Sequence, residues 1–154
     1  MICTIAEFES MWRERADDAR KIFSALTDES LKQAAGPDER TLGRVAWHIT
    51  TSIPEMMSRT GLSVEGMAED APVPASADAI RAAFDSAATA VLGAVNSQWN
   101  DASLRQTDDM YGEQWPRGKT LTALVLHQVH HLWKFRRGRL MPGQHGIRGL
   151  LDRR

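Results

Sequence analysis

The chain has 154 residues, 42% hydrophobic and 25% charged, with a formal net charge of −1. That length fits one domain spanning 1–154 with a core of its own, and the composition is that of a globular protein rather than a disordered or fibrous one. No apolar run nears the roughly 18 residues of a membrane span, the N-terminus lacks signal-peptide features, and the lone Cys3 excludes an internal disulfide, so a cytoplasmic protein with no membrane partner is expected.

Four segments carry helical periodicity, and none shows convincing strand alternation. Thr4-Ile5-Ala6-Glu7 reads as a capping box, opening a helix whose apolar positions (Ile5, Phe8, Trp12, Ala19, Ile22, Phe23, Leu26) recur every three or four residues. The pattern predicts a first helix to about Ala35, stopped by Gly36-Pro37. A second is expected from about Glu39 to Arg59, with a kink or an early end at Pro54. Residues 61–76 read as a loop, and Ser76 caps a third, alanine-rich helix carrying Ile80, Phe84, Ala87, Val91, Val95 and Trp99. Residues 100–118 are polar and turn-rich, and Thr120 is expected to cap a fourth helix from Leu121 to about Arg137. The fold class is therefore all-α: a four-helix bundle with long connections after helices two and three.

Charge gathers at the C-terminal end. From Lys134 onward seven Lys or Arg face one carboxylate, Asp152, leaving the tail at +6 and the rest at −7. Such a tail can attract nucleic acid. No aromatic platform or nucleic-acid motif accompanies it, so the reading preferred is a helix end whose cations offset the macrodipole.

Of five histidines, His127, His130 and His131 cluster on the fourth helix. A spacing of four sets His127 and His131 one turn apart and about 40° apart around the axis, so both rings can aim at one point, as in helices that present two nitrogens to a metal. Gln128 stands where metalloproteases of HExxH type carry their catalytic glutamate, so that signature is absent. Two histidines at this spacing also arise on solvated faces, and a third ligand must come from elsewhere. His48 is the sole histidine in the first hundred residues, about 120° from the apolar stripe of helix two. Taken alone it reads better as a residue half-covering the core. His130 points roughly 100° from His131 and is read as exposed or at a subunit contact. Leu126, Val129 and Trp133 widen the apolar arc of helix four, which fits either a deeply buried helix or a homodimer face.

With these residues in hand, the chain resembles the DinB-like family of four-helix bundles associated with divalent metals. The match rests on Thr41-Leu42-Gly43-Arg44-Val45-Ala46-Trp47-His48-Ile49 and His127-Gln128-Val129-His130-His131, with the Arg137-Gly138 turn and the Pro142-Gly143 segment. It spans nearly the whole chain, and the joint order of the short motifs gives it weight. The resemblance implies a metal, often zinc or nickel, on His48, His127 and His131, and a homodimer. The chain departs from the pattern after the second histidine of the pair, where Leu132-Trp133-Lys134 replaces a frequent Arg-Gly-Gln. Some relatives are thiol-dependent S-transferases or isomerases using bacillithiol, mycothiol or glutathione, so the resemblance points to a small-molecule substrate and a low-molecular-weight thiol.

Three neutral imidazoles leave a zinc-like ion an open coordination position, which is the arrangement of catalytic sites. The expected activity is metal-assisted activation of a thiol for transfer to an electrophile. Metal-dependent hydrolysis and a non-catalytic metal- or ligand-binding stress-response bundle are the alternatives. Glu55, Asp108, Asp109 and Glu113 are candidates to orient the ligands, and Tyr111 and Trp115 to line a pocket mouth, each with ordinary surface packing as its rival reading.

Overall fold

The computed structural model describes residues 1–35 and 40–138, and within them four long helices form the body of the molecule: α1 (Ile5–Ser24), α2 (Leu42–Ser58), α3 (Ala77–Gln98) and α4 (Arg117–Gly138). The expected stop at Gly36-Pro37, the Met141-Pro142-Gly143 segment and the basic tail lie outside the described residues and side chains. Each of the first three helices opens on a side-chain cap. Thr4 and Glu7 form the capping box of α1, Thr41 accepts from the Arg44 amide, and Ser76 accepts from the Ala79 amide. Such a cap satisfies an amide that has no intrahelical acceptor and contributes about 1 kcal/mol.

The main helical neighbours of α1 are α3 and α4, and those of α2 are the same two. Helices α1 and α2 therefore occupy opposite corners of the bundle, which the long connections permit. The apolar stripes read from the sequence meet in one core that includes Phe8, Trp12, Phe23, Ile49, Ile53, Ile80, Phe84, Val91, Leu121 and Leu124. A fully buried side chain of this kind contributes roughly 1.5–3 kcal/mol relative to exposure.

Several expectations require correction. Helix α1 ends at Ser24, not near Ala35; Leu31 and Ala35 are buried, but through a 3₁₀ turn at Ser30–Lys32 and an extended segment. There Ala34 and Thr41 form an isolated bridge, the Ala35 amide donates to the Arg40 carbonyl at 2.7 Å, and the Leu42 amide donates to Gln33 at 2.8 Å. These bonds pin the entrance of α2. Gly43 lets α2 approach this segment closely, since a Cβ there would lie 3.0 Å from the Leu31 carbonyl oxygen. Pro54 does not end α2, which continues to Ser58.

The all-α expectation also needs an amendment. Between α3 and α4 the chain makes a short 3₁₀ turn (Asp101–Arg105) and a two-stranded antiparallel hairpin, β1 (Thr107–Met110) with β2 (Glu113–Pro116). Its turn holds Tyr111 at φ 59 and Gly112 at φ 86, and the Gly112 amide donates to Asp109 at 3.0 Å. Helix α4 begins at Arg117, so Thr120 is no cap; it is buried inside the first turns. Leu126, Val129 and Trp133 are 58%, 39% and 54% exposed, so the reading of α4 as a deeply buried helix fails for that face. No described helix is long and apolar enough to cross a membrane.

Candidate metal centre

Helix α2 carries Arg44, His48 and Ser52 at steps of four, on one face of the helix. Opposite them, α4 presents His127 and His131, also four apart. The packing of α2 against α4 closes the gap between the two stations. One potential ligand atom from each of His48, His127 and His131 lies within 4.8 Å of the other two. The His48 and His127 Nε2 atoms are 3.1 Å apart, and the three ring centroids are 4.4–4.9 Å from one another, all edge to face. His131 is buried, His48 and His127 partly so. His130 is exposed, as expected, and touches only the edge of this group, with its ring 5.0 Å from that of His131.

This donor set fits a divalent ion. Tetrahedral zinc at about 2.0–2.1 Å from each nitrogen sets its ligands roughly 3.3 Å apart, close to the separation already present between His48 and His127. Burial is the largest influence on His127, and the neighbouring His48 and then His130 add to it, together holding this imidazole down to about 4; the more distant Glu55 carboxylate opposes them. His127 is thus neutral across the physiological range, the form that donates a lone pair to a metal.

The next layer fixes how the ring is used. The Ser52 hydroxyl donates to the Ile49 carbonyl at 3.0 Å and meets His127 Nδ1 at 3.3 Å, where its oxygen serves as acceptor. That places the ring proton on Nδ1 and turns the lone pair of Nε2 toward the other histidines. Gln128, at the position of the missing glutamate, faces the core instead; its Nε2 donates to the Ile49 carbonyl at 3.3 Å and ties α4 to α2. Thr50 and Thr51 direct their buried hydroxyls to the Ala46 and Trp47 carbonyls one turn back.

The acidic candidates have other partners. Glu55 accepts from the Arg59 guanidinium at 2.7 Å and from the Tyr111 hydroxyl at 2.8 Å. Asp108 pairs with Arg117 at 3.0 Å, Asp109 closes the hairpin turn, and Glu113 accepts from Trp115 Nε1 at 2.7 Å. Of the four, Glu55 alone registers at the centre, through its field on His127. Tyr111 and Trp115 pack on one another at 6.4 Å, under Arg59 and Lys119 respectively, so the packing reading describes them best. Burial first, then the Glu55 carboxylate, push the Tyr111 hydroxyl up to about 12, so it remains a donor.

A cavity of about 280 Å³ opens beside the histidines, lined by Arg40, Arg44, Val45, Trp47, His48, Thr51, Glu69 and His131. Trp47 forms a wall, its Nε1 donating to the Ala71 carbonyl at 2.8 Å and so fastening the 61–76 loop to α2. Sequence reasoning missed Ser52 and Arg44. The signal was the same four-residue step that marked the pair on α4, present on α2 at 44, 48 and 52.

The DinB family model matches residues 1–132. A protein of Bacillus subtilis (strain 168) named uncharacterized protein YrdA is 40% identical over 131 residues, covering 85% of this chain and 78% of its own. The crystal structure of a DinB-like protein from Bacillus cereus ATCC 10987 superposes with a TM-score of 0.83 at 39% identity, covering 94% of this chain and all of that one. The chain belongs to the DinB family.

Proposed function

We propose that this DinB-family bundle holds a divalent metal, zinc or nickel, on His48, His127 and His131, and that it activates a low-molecular-weight thiol for transfer to an electrophilic small molecule. The observation that carries the reading is the convergence of three imidazoles from two helices within 4.8 Å, beside an open cavity. When bound at three neutral ligands, such an ion supplies Lewis acidity that makes a thiol acidic near neutral pH. The chain's own residues do the rest. Ser52 fixes the His127 tautomer, the buried face of α4 fixes the spacing of its two histidines, and Trp47 with the 61–76 loop walls off the reacting volume. In the transfer, the thiol sulfur forms a bond to the electrophilic carbon, the leaving group departs with its electron pair, and the thiol proton passes to solvent. Cys3, exposed at the N-terminus, is not the reacting thiol. A second copy of the chain, seated on the Leu126, Val129 and Trp133 stripe, completes the proposed assembly in the cytoplasm.

The test is metal analysis of protein purified without a histidine tag, against the triple alanine variant at 48, 127 and 131, followed by thiol conjugation to a panel of electrophiles. The expected result is one equivalent of metal in the parent, none in the variant, and turnover that needs both metal and thiol. Metal-dependent turnover without thiol would replace transfer by hydrolysis. Stabilisation by metal with no turnover would leave a binding protein. Conjugation unchanged in His48→Ala and His131→Ala would sink the reading.

A further inference from the structure

The cavity beside the histidines is lined by charged as well as apolar side chains. Among the described residues its lining includes the exposed Arg44 and Glu69 together with His48 and His131. Arg44 is one helical turn from His48 on the same face of α2, and both line the cavity. Among the described residues no carboxylate or carbonyl bonds the Arg44 guanidinium; the Thr41 contact at this position is to the backbone amide. Arg59 and Arg117, by contrast, are paired with Glu55 and Asp108.

A guanidinium presents a planar fork of donors that matches an oxyanion two bonds at a time, and such charge-assisted pairs are the strong ones. The start of α2 adds the positive end of a helix dipole to the same region. We infer that Arg44 is a substrate-binding residue that clamps an oxyanion group, a carboxylate or phosphate, of a small molecule whose reacting end lies at His48 and His131. The substrate class is thus an organic anion short enough for the 280 Å³ cavity. This deepens the function proposed above and rests on it only for the reacting end; the clamp itself needs no metal.

The test has two arms. In metal-free protein, succinate, inorganic phosphate and neutral succinamide are titrated while the Arg Nε–H resonances are followed by NMR. Succinate or phosphate should shift the Arg44 resonance saturably, succinamide should not, and Arg44→Gln should weaken that binding about tenfold, with Arg44→Lys between. Arg44 is exposed, so its variants should keep the parent's circular dichroism and melting temperature, which separates lost binding from lost fold. In cobalt-loaded protein, 3-mercaptopropionate should bind about tenfold more tightly than 3-mercapto-1-propanol by absorbance titration, and Arg44→Gln should erase that preference while leaving the neutral thiol unaffected. Equal binding of anion and neutral analogue in the first arm, or anion affinity unchanged in Arg44→Gln, overturns the clamp. Failure of cobalt or of both thiols to bind overturns the metal-thiol reading and leaves the clamp to be judged on the first arm.

Discussion

Along the seam between α1 and α3, Trp12 donates its indole N–H to the Ala88 carbonyl at 3.0 Å, and Phe23 meets Phe84 edge to face at 5.1 Å. Along the seam between α2 and α4 stand His48, Ser52, His127, Gln128 and His131. Both seams come from the same three-and-four spacing, but one is filled with aromatic rings and the other with imidazoles and hydroxyls. Rings in a dry seam stabilise through dispersion and through area removed from water. The partly buried His127 is held neutral at the expense of its proton affinity, so it weakens the fold wherever solvent would protonate it. The contrast is between a seam that holds the bundle together and a seam that the bundle holds in place.

The largest effect expected is on the aromatic seam. Phe84→Ala, removing a buried ring, should cost about 3–5 kcal/mol in urea denaturation while the folded fraction still binds metal as the parent does. A cost as large from His48→Ala in metal-free protein would erase the contrast. Next comes metal. At a hundredfold excess over its dissociation constant, a metal that binds only the folded state should add about 2.7 kcal/mol. For a chain of this size that raises the melting temperature by roughly 5–10 °C, and calorimetry should find no shift in the triple alanine variant.

A third test uses pH. His127 sits near 4 when folded against an ordinary 6.5, so the unfolded chain binds the extra proton. Its neutral form favours folding fully above 6.5, and that contribution is lost progressively as pH falls from 6.5 toward 4. Metal-free protein should lose stability over this window with a slope of at most one proton, about 1.4 kcal/mol per pH unit. His127→Asn should flatten the slope in denaturation curves taken at successive pH values, and a slope the same in parent and variant would break the comparison. The smallest effect expected is that of Ser52→Ala, which removes the acceptor at His127 Nδ1 and should weaken metal binding about tenfold with the fold intact. Competition with a colorimetric chelator measures it.

Capping residues and apolar spacing placed most of the architecture before any coordinates. Thr4 and Ser76 sit at two of the helix starts as read, whereas the second helix, expected from about Glu39, is capped by Thr41; the stripe on α3 from Ile80 to Val95 is buried as read. Errors fell where tertiary contacts override local pattern. Leu31 and Ala35 continued the apolar rhythm of the first helix but are buried through a bridge to Thr41, a partner invisible to periodicity. The hairpin at 107–116 escaped notice because its strands are four residues long and mostly polar, with Met110 the sole buried residue among them, too short for alternation to register. Thr120 resembled a cap because the type of residue was right, yet the helix had already begun at Arg117.

The candidate site divides in the same way. His127 and His131 were paired by the sequence itself, because a step of four on a helix puts two side chains on one face whatever surrounds the helix. His48 was placed with them by family resemblance, since periodicity gives a residue's angle about its own axis but not the rotation of one helix against another. That rotation is set by side chains interlocking across the bundle, which only the folded chain decides. The roles of Ser52 and Arg44 belong to the same class. Their positions were legible as a row on α2, but a hydroxyl beside His127 and an arginine lining a cavity exist only once α4 and the 61–76 loop have closed on that row.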